Sequence, residues 1–371
     1  MNISQNLFKS LFSSTVSAKT KYIFKNHDPR KFILRNFFLS RTRSVSCNTS
    51  AMEKFKVLIG NDTIPPSAAE ILKTECDVII CEEDRQAILK NIPNVDAFFW
   101  SSGDIQLDKE MLERAGPNLK AIATMSAGYD NIDIEEIRKR GIKFGNTPGV
   151  VGKAVADQAV MLALAASRRL VEGRRAIESG EWTNKFNAQW LVGIEISGST
   201  VGIVGLGSIG QAIVKRLSGF EVGKYLYYGR KERQEGKVLG AEYVSFDTLV
   251  ENSDFIFVCI PLNKETRELF KYEVFSKMKR SCIFVNVGRG GLVNQTDLIR
   301  ALEENLIFAA GLDVMTPEPL SPDDKLLKLP NCVLAPHLGT ATWKTSNKMA
   351  ELTAKNLLLA LKGEHMLTPV I

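Results

Sequence analysis

Short apolar runs alternate with amphipathic stretches along most of the chain beyond residue 54. Phe55–Ile59, Val78–Ile80, Ala97–Trp100 and Leu119–Met125 read as strands, and Arg85–Lys90, Lys109–Arg114 and Ile134–Arg140 as helices between them. Strand-helix alternation predicts a parallel sheet with helices on its faces. Asn146-Thr147-Pro148-Gly149 breaks the pattern. One long helix is expected after it, from about Lys153 to Ser179, with an apolar stretch at Val160–Ala166 broad enough for burial on more than one side. A second series follows at Thr200–Val204, Lys224–Tyr228, Phe255–Ile260, Cys282–Val287, Phe308–Val314 and Cys332–Leu334. Helices are expected near Ser208–Leu217, Asp247–Asn252, Tyr272–Lys277 and Gln295–Glu304. The last helix, about Thr345–Lys362, has no strand left to follow it and is expected to return to the first series.

This pattern predicts an α/β protein of two doubly wound domains, Rossmann-like or flavodoxin-like, with parallel sheets and a cleft between them. The expected division is a substrate domain from 52–150 plus 343–371 and a dinucleotide domain from 151–342. The strand Thr200–Val204 runs into Gly205-Leu206-Gly207-Ser208-Ile209-Gly210, a G-x-G-x-x-G pattern leading into a helix. In that setting the first glycine permits a tight turn. The second lets a pyrophosphate approach the backbone, and the third lets helix and strand pack closely. The helix start then offers free N–H groups to phosphate. After the next strand comes Gly229-Arg230-Lys231, where an NAD site would carry an acid for the ribose 2′-hydroxyl. Arg230 and Lys231 suit a 2′-phosphate, so NADP is favoured over NAD.

Charge changes the picture at one end only. Residues 1–51 hold nine Lys/Arg against the single acid Asp28, which exceeds the whole chain's formal +6. The remainder is therefore slightly acidic, and a nucleic-acid partner loses its electrostatic basis. The basic, Ser-rich leader has the composition of a mitochondrial transit peptide, and translation starting at Met52 would leave a cytoplasmic protein. No apolar run is long enough to cross a membrane. Cys259, Cys282 and Cys332 fall in apolar strand-like runs and read as buried thiols, and no metal site is expected.

Hydride delivery to a ketone leaves an oxygen that needs a proton, commonly from histidine. Of His27, His337 and His365, only His337 follows a strand, in Ala335-Pro336-His337-Leu338-Gly339. Arg289 ends another strand in Asn286-Val287-Gly288-Arg289-Gly290 and could hold an acid's carboxylate. Glu318, between Pro317 and Pro319, could orient His337 and favour its protonated form. Asp313, at a strand end, could meet either the nicotinamide side or the histidine.

In these motifs the chain resembles the D-isomer-specific 2-hydroxyacid dehydrogenase family. The likeness rests on Ser126-Ala127-Gly128-Tyr129-Asp130-Asn131-Ile132-Asp133, Gly205–Gly210, Asn286–Gly290, Gly311–Leu320 and Pro336–Thr342. The resemblance implies reduction of small 2-oxo acids by NADPH, glyoxylate to glycolate and hydroxypyruvate to D-glycerate, with His337, Glu318 and Arg289 as catalytic set. It further implies that Ala127 and Gly128 hold the substrate carboxylate through backbone N–H groups. Gly205, Gly207, Ser208, Ile209, Gly210, Arg230, Lys231, Pro261, Val287, Asp313 and Gly339 would line the cofactor groove. A homodimer joined through the cofactor domain is implied too. Within the family, a phosphoglycerate or broad 2-oxoacid dehydrogenase is an alternative, and a dinucleotide-sensing corepressor scaffold keeps the same catalytic set. Around Trp182–Trp190 the spacing departs from the related reductases, with Lys185-Phe186 where a pocket-closing Trp would be sought.

Overall fold

The computed structural model describes residues 54–184 and 187–371. The expected leader, with Met52, lies outside the described residues, and so do Lys185 and Phe186.

The first sheet contains β1 (Phe55–Ile59), β2 (Cys76–Ile80), β3 (Ala97–Trp100), β4 (Ala121–Thr124) and β5 (Lys143–Gly145). These strands are all parallel, in the order β2-β1-β3-β4-β5, which is the flavodoxin-like winding. Between them lie α1 (Pro66–Lys73), α2 (Arg85–Asn91), α3 (Lys109–Ala115) and α4 (Ile134–Lys139). Three of these helices start on an aspartate whose carboxylate accepts a first-turn N–H. Asp84 takes that of Ala87, Asp108 that of Met111 and Asp133 that of Glu136. Such caps satisfy donors the helix itself cannot.

Two helices, α5 (Gly152–Ser167) and α6 (Leu170–Glu178), lead to the second sheet. Its strands are β6 (Thr200–Val204), β7 (Lys224–Tyr228), β8 (Ala241–Tyr243), β9 (Phe255–Val258), β10 (Ile283–Asn286), β11 (Ala309–Leu312) and β12 (Cys332–Leu334). They run parallel in the order β12-β11-β10-β9-β6-β7-β8, a Rossmann winding extended by one strand. The connecting helices are α7 (Ser208–Leu217), α8 (Gln234–Val238), α9 (Phe246–Asn252), α10 (Tyr272–Lys277) and α11 (Gln295–Glu303). Phe255 and Phe257 of β9 face α5, against Ala156, Ala159 and Leu162. Ile256 and Val258 face the other way, into a core with Phe270 and Phe275. Both faces are therefore covered, and the strands read as unbroken apolar runs.

The final helix, α12 (Trp343–Leu361), packs on β3, β4 and α1 of the first sheet. Its Ala350, Ala354 and Leu357 share a core with Val57, Phe99 and Ala123.

One expected element is corrected: the single helix from Lys153 to Ser179 is two. Arg169 takes a left-handed conformation at φ 55°, and α6 restarts beyond it. The cause is tertiary. The 193–194 segment presses on the end of α5, where Ile194 N–H donates to the Ser167 carbonyl at 2.9 Å. A side chain at Gly193 would meet that carbonyl at 2.3 Å. Of the three thiols read as core, Cys282 and Cys332 are buried, while Cys259 at the end of β9 is only half-buried.

Candidate active site

The strands' carboxyl ends face one another across a cavity of about 1010 Å³, the place where open parallel sheets bind ligands. Arg289, Glu318 and His337 all line it, together with Ala127, Gly128, Ile209, Val287, Asp313 and Gly339.

His337 follows β12 with a left-handed backbone at φ 53°, rare for a residue with a side chain. The surroundings hold it there. Its own N–H donates to the Asp313 carbonyl at 2.8 Å. The Asp313 carboxylate accepts from the N–H groups of Leu338 and Gly339, both at 2.9 Å. The Gln158 side-chain amide on α5 also donates to that carboxylate, at 3.0 Å. Asp313 is thus a bracket for the histidine loop. Its carboxylate hydrogen-bonds the backbone around His337 rather than the imidazole, which narrows the two roles considered for it.

The imidazole Nδ1 lies 2.8 Å from Glu318 Oε2, while Glu318 Oε1 accepts the Met315 N–H at 2.8 Å. With Nδ1 so engaged, Nε2 is the nitrogen left for another partner. The hydrogen bond to Glu318 raises the His337 pKa above the ordinary histidine value, outweighing burial and the Arg289 charge. Burial alone would push the Glu318 carboxyl up. The bonds from His337 and Met315, with the nearby positive charges, hold it below the usual carboxylate range instead.

Arg289 reaches across from the end of β10. Its Nε donates to Asp130 Oδ1 and its Nη1 to the Gly288 carbonyl, each at 2.9 Å. Nη2 lies against Gly128 so closely that a β-carbon there would sit 1.8 Å from it. Ala127 and Gly128 occupy the loop after β4. That loop is fixed by the Asn146 amide on the Ala127 carbonyl at 2.8 Å and by the Ser126 hydroxyl on the Gly128 carbonyl.

The glycine turn after β6 sits at the switch point, where β6 lies between β7 and β9. Gly205 has φ 101°, and a β-carbon there would meet Ile260 at 2.7 Å. At Gly210 a β-carbon would lie 2.2 Å from the Gly205 carbonyl, so α7 can start this close only without one. A β-carbon on Gly207 would meet nothing within 4 Å. That open space, at the N-terminus of α7 with Ser208 and Ile209 beside it, fits a pyrophosphate. Arg230 and Lys231 are exposed just beyond β7. The acids near them are taken, Glu232 by Lys237 at 3.6 Å and Glu235 by Arg233 at 3.7 Å. Pro261 follows β9, its carbonyl accepting from the Thr266 hydroxyl at 2.8 Å. Of the residues assigned to the cofactor groove, Ile209, Val287, Asp313 and Gly339 line the cavity itself, and the others lie outside its lining.

Asp130 and Gln158 belong to the site without standing in any of the sequence's candidate catalytic or cofactor positions. Both act through contacts more than 150 residues away along the chain, so neither carries a sequence signal for its role.

A family model described as the NAD binding domain of D-isomer specific 2-hydroxyacid dehydrogenase matches residues 160–339. The glyoxylate reductase/hydroxypyruvate reductase of Mus musculus is 49% identical over 262 residues, covering 70% of this chain and 80% of that protein. The glyoxylate reductase of Thermofilum pendens is 43% identical over 308 residues, covering 81% of this chain and 90% of its own. Among solved structures, the NADPH-dependent glyoxylate/hydroxypyruvate reductase of Sinorhizobium meliloti, in complex with NADP and malonate, superposes with a TM-score of 0.76. It is 31% identical and covers 86% of this chain and 97% of that one.

Proposed function

The chain belongs to the D-isomer-specific 2-hydroxyacid dehydrogenase family, and from that premise we propose that it reduces small 2-oxo acids with NADPH, glyoxylate to glycolate and hydroxypyruvate to D-glycerate. The observation that carries this reading is the convergence of the His337–Glu318 pair and Arg289 on one cavity. A bound reduced nicotinamide would supply a hydride to the carbonyl carbon. Arg289 and the N–H groups of Ala127 and Gly128 hold the carboxylate and set the carbonyl's angle. His337 gives its Nε2 proton to the carbonyl oxygen, and Glu318 keeps the ring protonated and aimed. Gly205, Gly207, Ser208, Ile209 and Gly210 take the pyrophosphate, and Pro261, Val287, Asp313 and Gly339 border the rest of the dinucleotide. Preference for NADPH is supported by Arg230 and Lys231, whose neighbouring acids already have partners.

We also propose a homodimer. Leu170, Ile177, Trp182 and Val192, in and after α6, are large apolar side chains left more than half exposed, more than an isolated surface usually carries in one stretch. The basic leader supports delivery to mitochondria, which a fluorescent fusion carrying residues 1–51 would reveal by where it accumulates.

The test is a matrix of glyoxylate, hydroxypyruvate and pyruvate against NADPH and NADH, read by loss of reduced-nicotinamide absorbance. Turnover of the first two acids, faster with NADPH, is expected. No turnover with any of the three would overturn the proposal.

A further inference from the structure

Arg289 has a partner that nothing in the proposed chemistry uses. Asp130, in the loop after β4, accepts the Arg289 Nε–H at 2.9 Å, while the arginine belongs to the loop after β10. The contact therefore joins the two sides of the crevice. It also engages the guanidinium on its side edge. Nε is bonded to Asp130, and one Nη1 hydrogen goes to the Gly288 carbonyl at 2.9 Å. Among the described residues the Nη2 hydrogens have no hydrogen-bond partner, and Nη2 is the atom that lies against Gly128. A carboxylate held by the Ala127 and Gly128 N–H groups would meet that free edge.

We propose that Asp130 is a positioning residue. It fixes the plane of the Arg289 guanidinium so that its Nη2 edge faces the substrate carboxylate, and it tempers the arginine's charge so that the acid is not held too tightly. The inference rests on the reading of Arg289 as the group that binds the oxo acid.

Two opposed effects follow. As a hydrogen-bond acceptor Asp130 saves the cost of ordering a long, flexible side chain when substrate arrives. As a carboxylate it competes with the substrate for the same cation. An asparagine keeps an acceptor for Nε and loses the charge, whereas an alanine loses both. Asp130→Asn is therefore expected to keep kcat within about threefold and to lower KM severalfold. Asp130→Ala is expected to lose about tenfold or more in kcat, since a misplaced orienting group weakens the transition state.

The experiment measures kcat and KM for glyoxylate in wild type, Asp130→Asn and Asp130→Ala, with melting temperatures as a fold check. It also measures binding of oxalate, a planar acid that cannot be reduced, to the NADPH-loaded enzyme by calorimetry. Oxalate binding is repeated with Asp130→Ala in an Arg289→Ala background. If Asp130 acts through Arg289, Asp130→Ala weakens oxalate binding about fivefold in the wild-type background and by less than twofold without the arginine. Equal effects in the two backgrounds, or equal kcat losses for the asparagine and alanine variants, would overturn the proposal. Wild-type enzyme without turnover would instead sink the proposed reaction, and the oxalate comparison would still decide the role of Asp130.

Discussion

Adding one methyl group at residue 128 is expected to disable the enzyme without unfolding it. The β-carbon of Gly128→Ala would lie 1.8 Å from Arg289 Nη2 and 2.8 Å from its Cζ, where ordinary contact begins near 3.4 Å. The guanidinium must retreat by more than about 1 Å, and a displacement of that size at a reacting centre can cost roughly a hundredfold in rate. What gives way is the end of a flexible side chain rather than backbone, so the fold is spared. The backbone of residue 128 has no positive φ to strain an alanine. We expect kcat/KM for glyoxylate to fall by about a hundredfold. NADPH affinity, read by fluorescence titration, should stay within about twofold, and the melting temperature should be unchanged. The NADPH value matters because the dinucleotide is assigned to the other side of the cleft, at the Gly205–Gly210 turn. Near-normal turnover in this variant would refute the placement of Arg289 at the substrate. Loss of NADPH binding along with activity would refute the assignment of the loop to substrate alone.

Glu318→Gln keeps an acceptor for Nδ1 but removes the negative charge that favours the protonated ring, leaving burial and Arg289 to pull the His337 pKa down from its wild-type position. The high-pH fall in reductive kcat should therefore begin at lower pH than in wild type, and an unmoved limb would count against His337 as the acid. The same pair links pH to stability. The His337 contribution is present below the ordinary histidine value of 6.5 and fades as pH rises through its raised folded value. The Glu318 contribution is present above 4.5 and fades as pH falls through its lowered one. The melting difference between wild type and Glu318→Gln should accordingly be largest between those two values. Replacing both Arg230 and Lys231 with alanine should raise the KM for NADPH by about a hundredfold or more, because charge-assisted bonds contribute roughly 1.5–3 kcal/mol each, and should leave that for NADH nearly unchanged. Gly210→Ala forces a β-carbon to 2.2 Å from a carbonyl oxygen and should lower the melting temperature, whereas Gly207→Ala meets nothing and should weaken only dinucleotide binding. Ile177→Lys, on the exposed apolar stretch, should shift sedimentation toward the monomer.

Most of the strands were legible because both faces of each sheet are covered, which leaves continuous apolar runs such as Phe255–Val258. Short elements escaped for the opposite reason. Lys143–Gly145 and Ala241–Tyr243 are three residues each, too few for a period, and α1 opens on two prolines that read as a break. The split between α5 and α6 was invisible locally, since it is imposed by a segment more than two dozen residues on from Ser167 (Gly193 and Ile194) pressing on that helix end. In the site, His337, Arg289 and Glu318 could be found by strand-end position and residue chemistry. So could the pairing of Glu318 with His337; what could not be read was the part played by two further acids. Asp313 turns out to bracket backbone, and Asp130 holds the arginine.

The polypeptide passes between the two sheets twice, once through 146–151 after β5 and once through 335–342 before α12. The first passage is stitched to the distal end of α12, since the Asn146 carbonyl accepts from both the Asn356 amide and the Thr368 hydroxyl. A paired strap of this kind permits rotation about the line joining its two members and resists twisting or drifting apart. Clipping one member with a protease would leave the halves tethered by the other. Nicked enzyme should therefore migrate as a single species under native conditions and separate into fragments only once denatured.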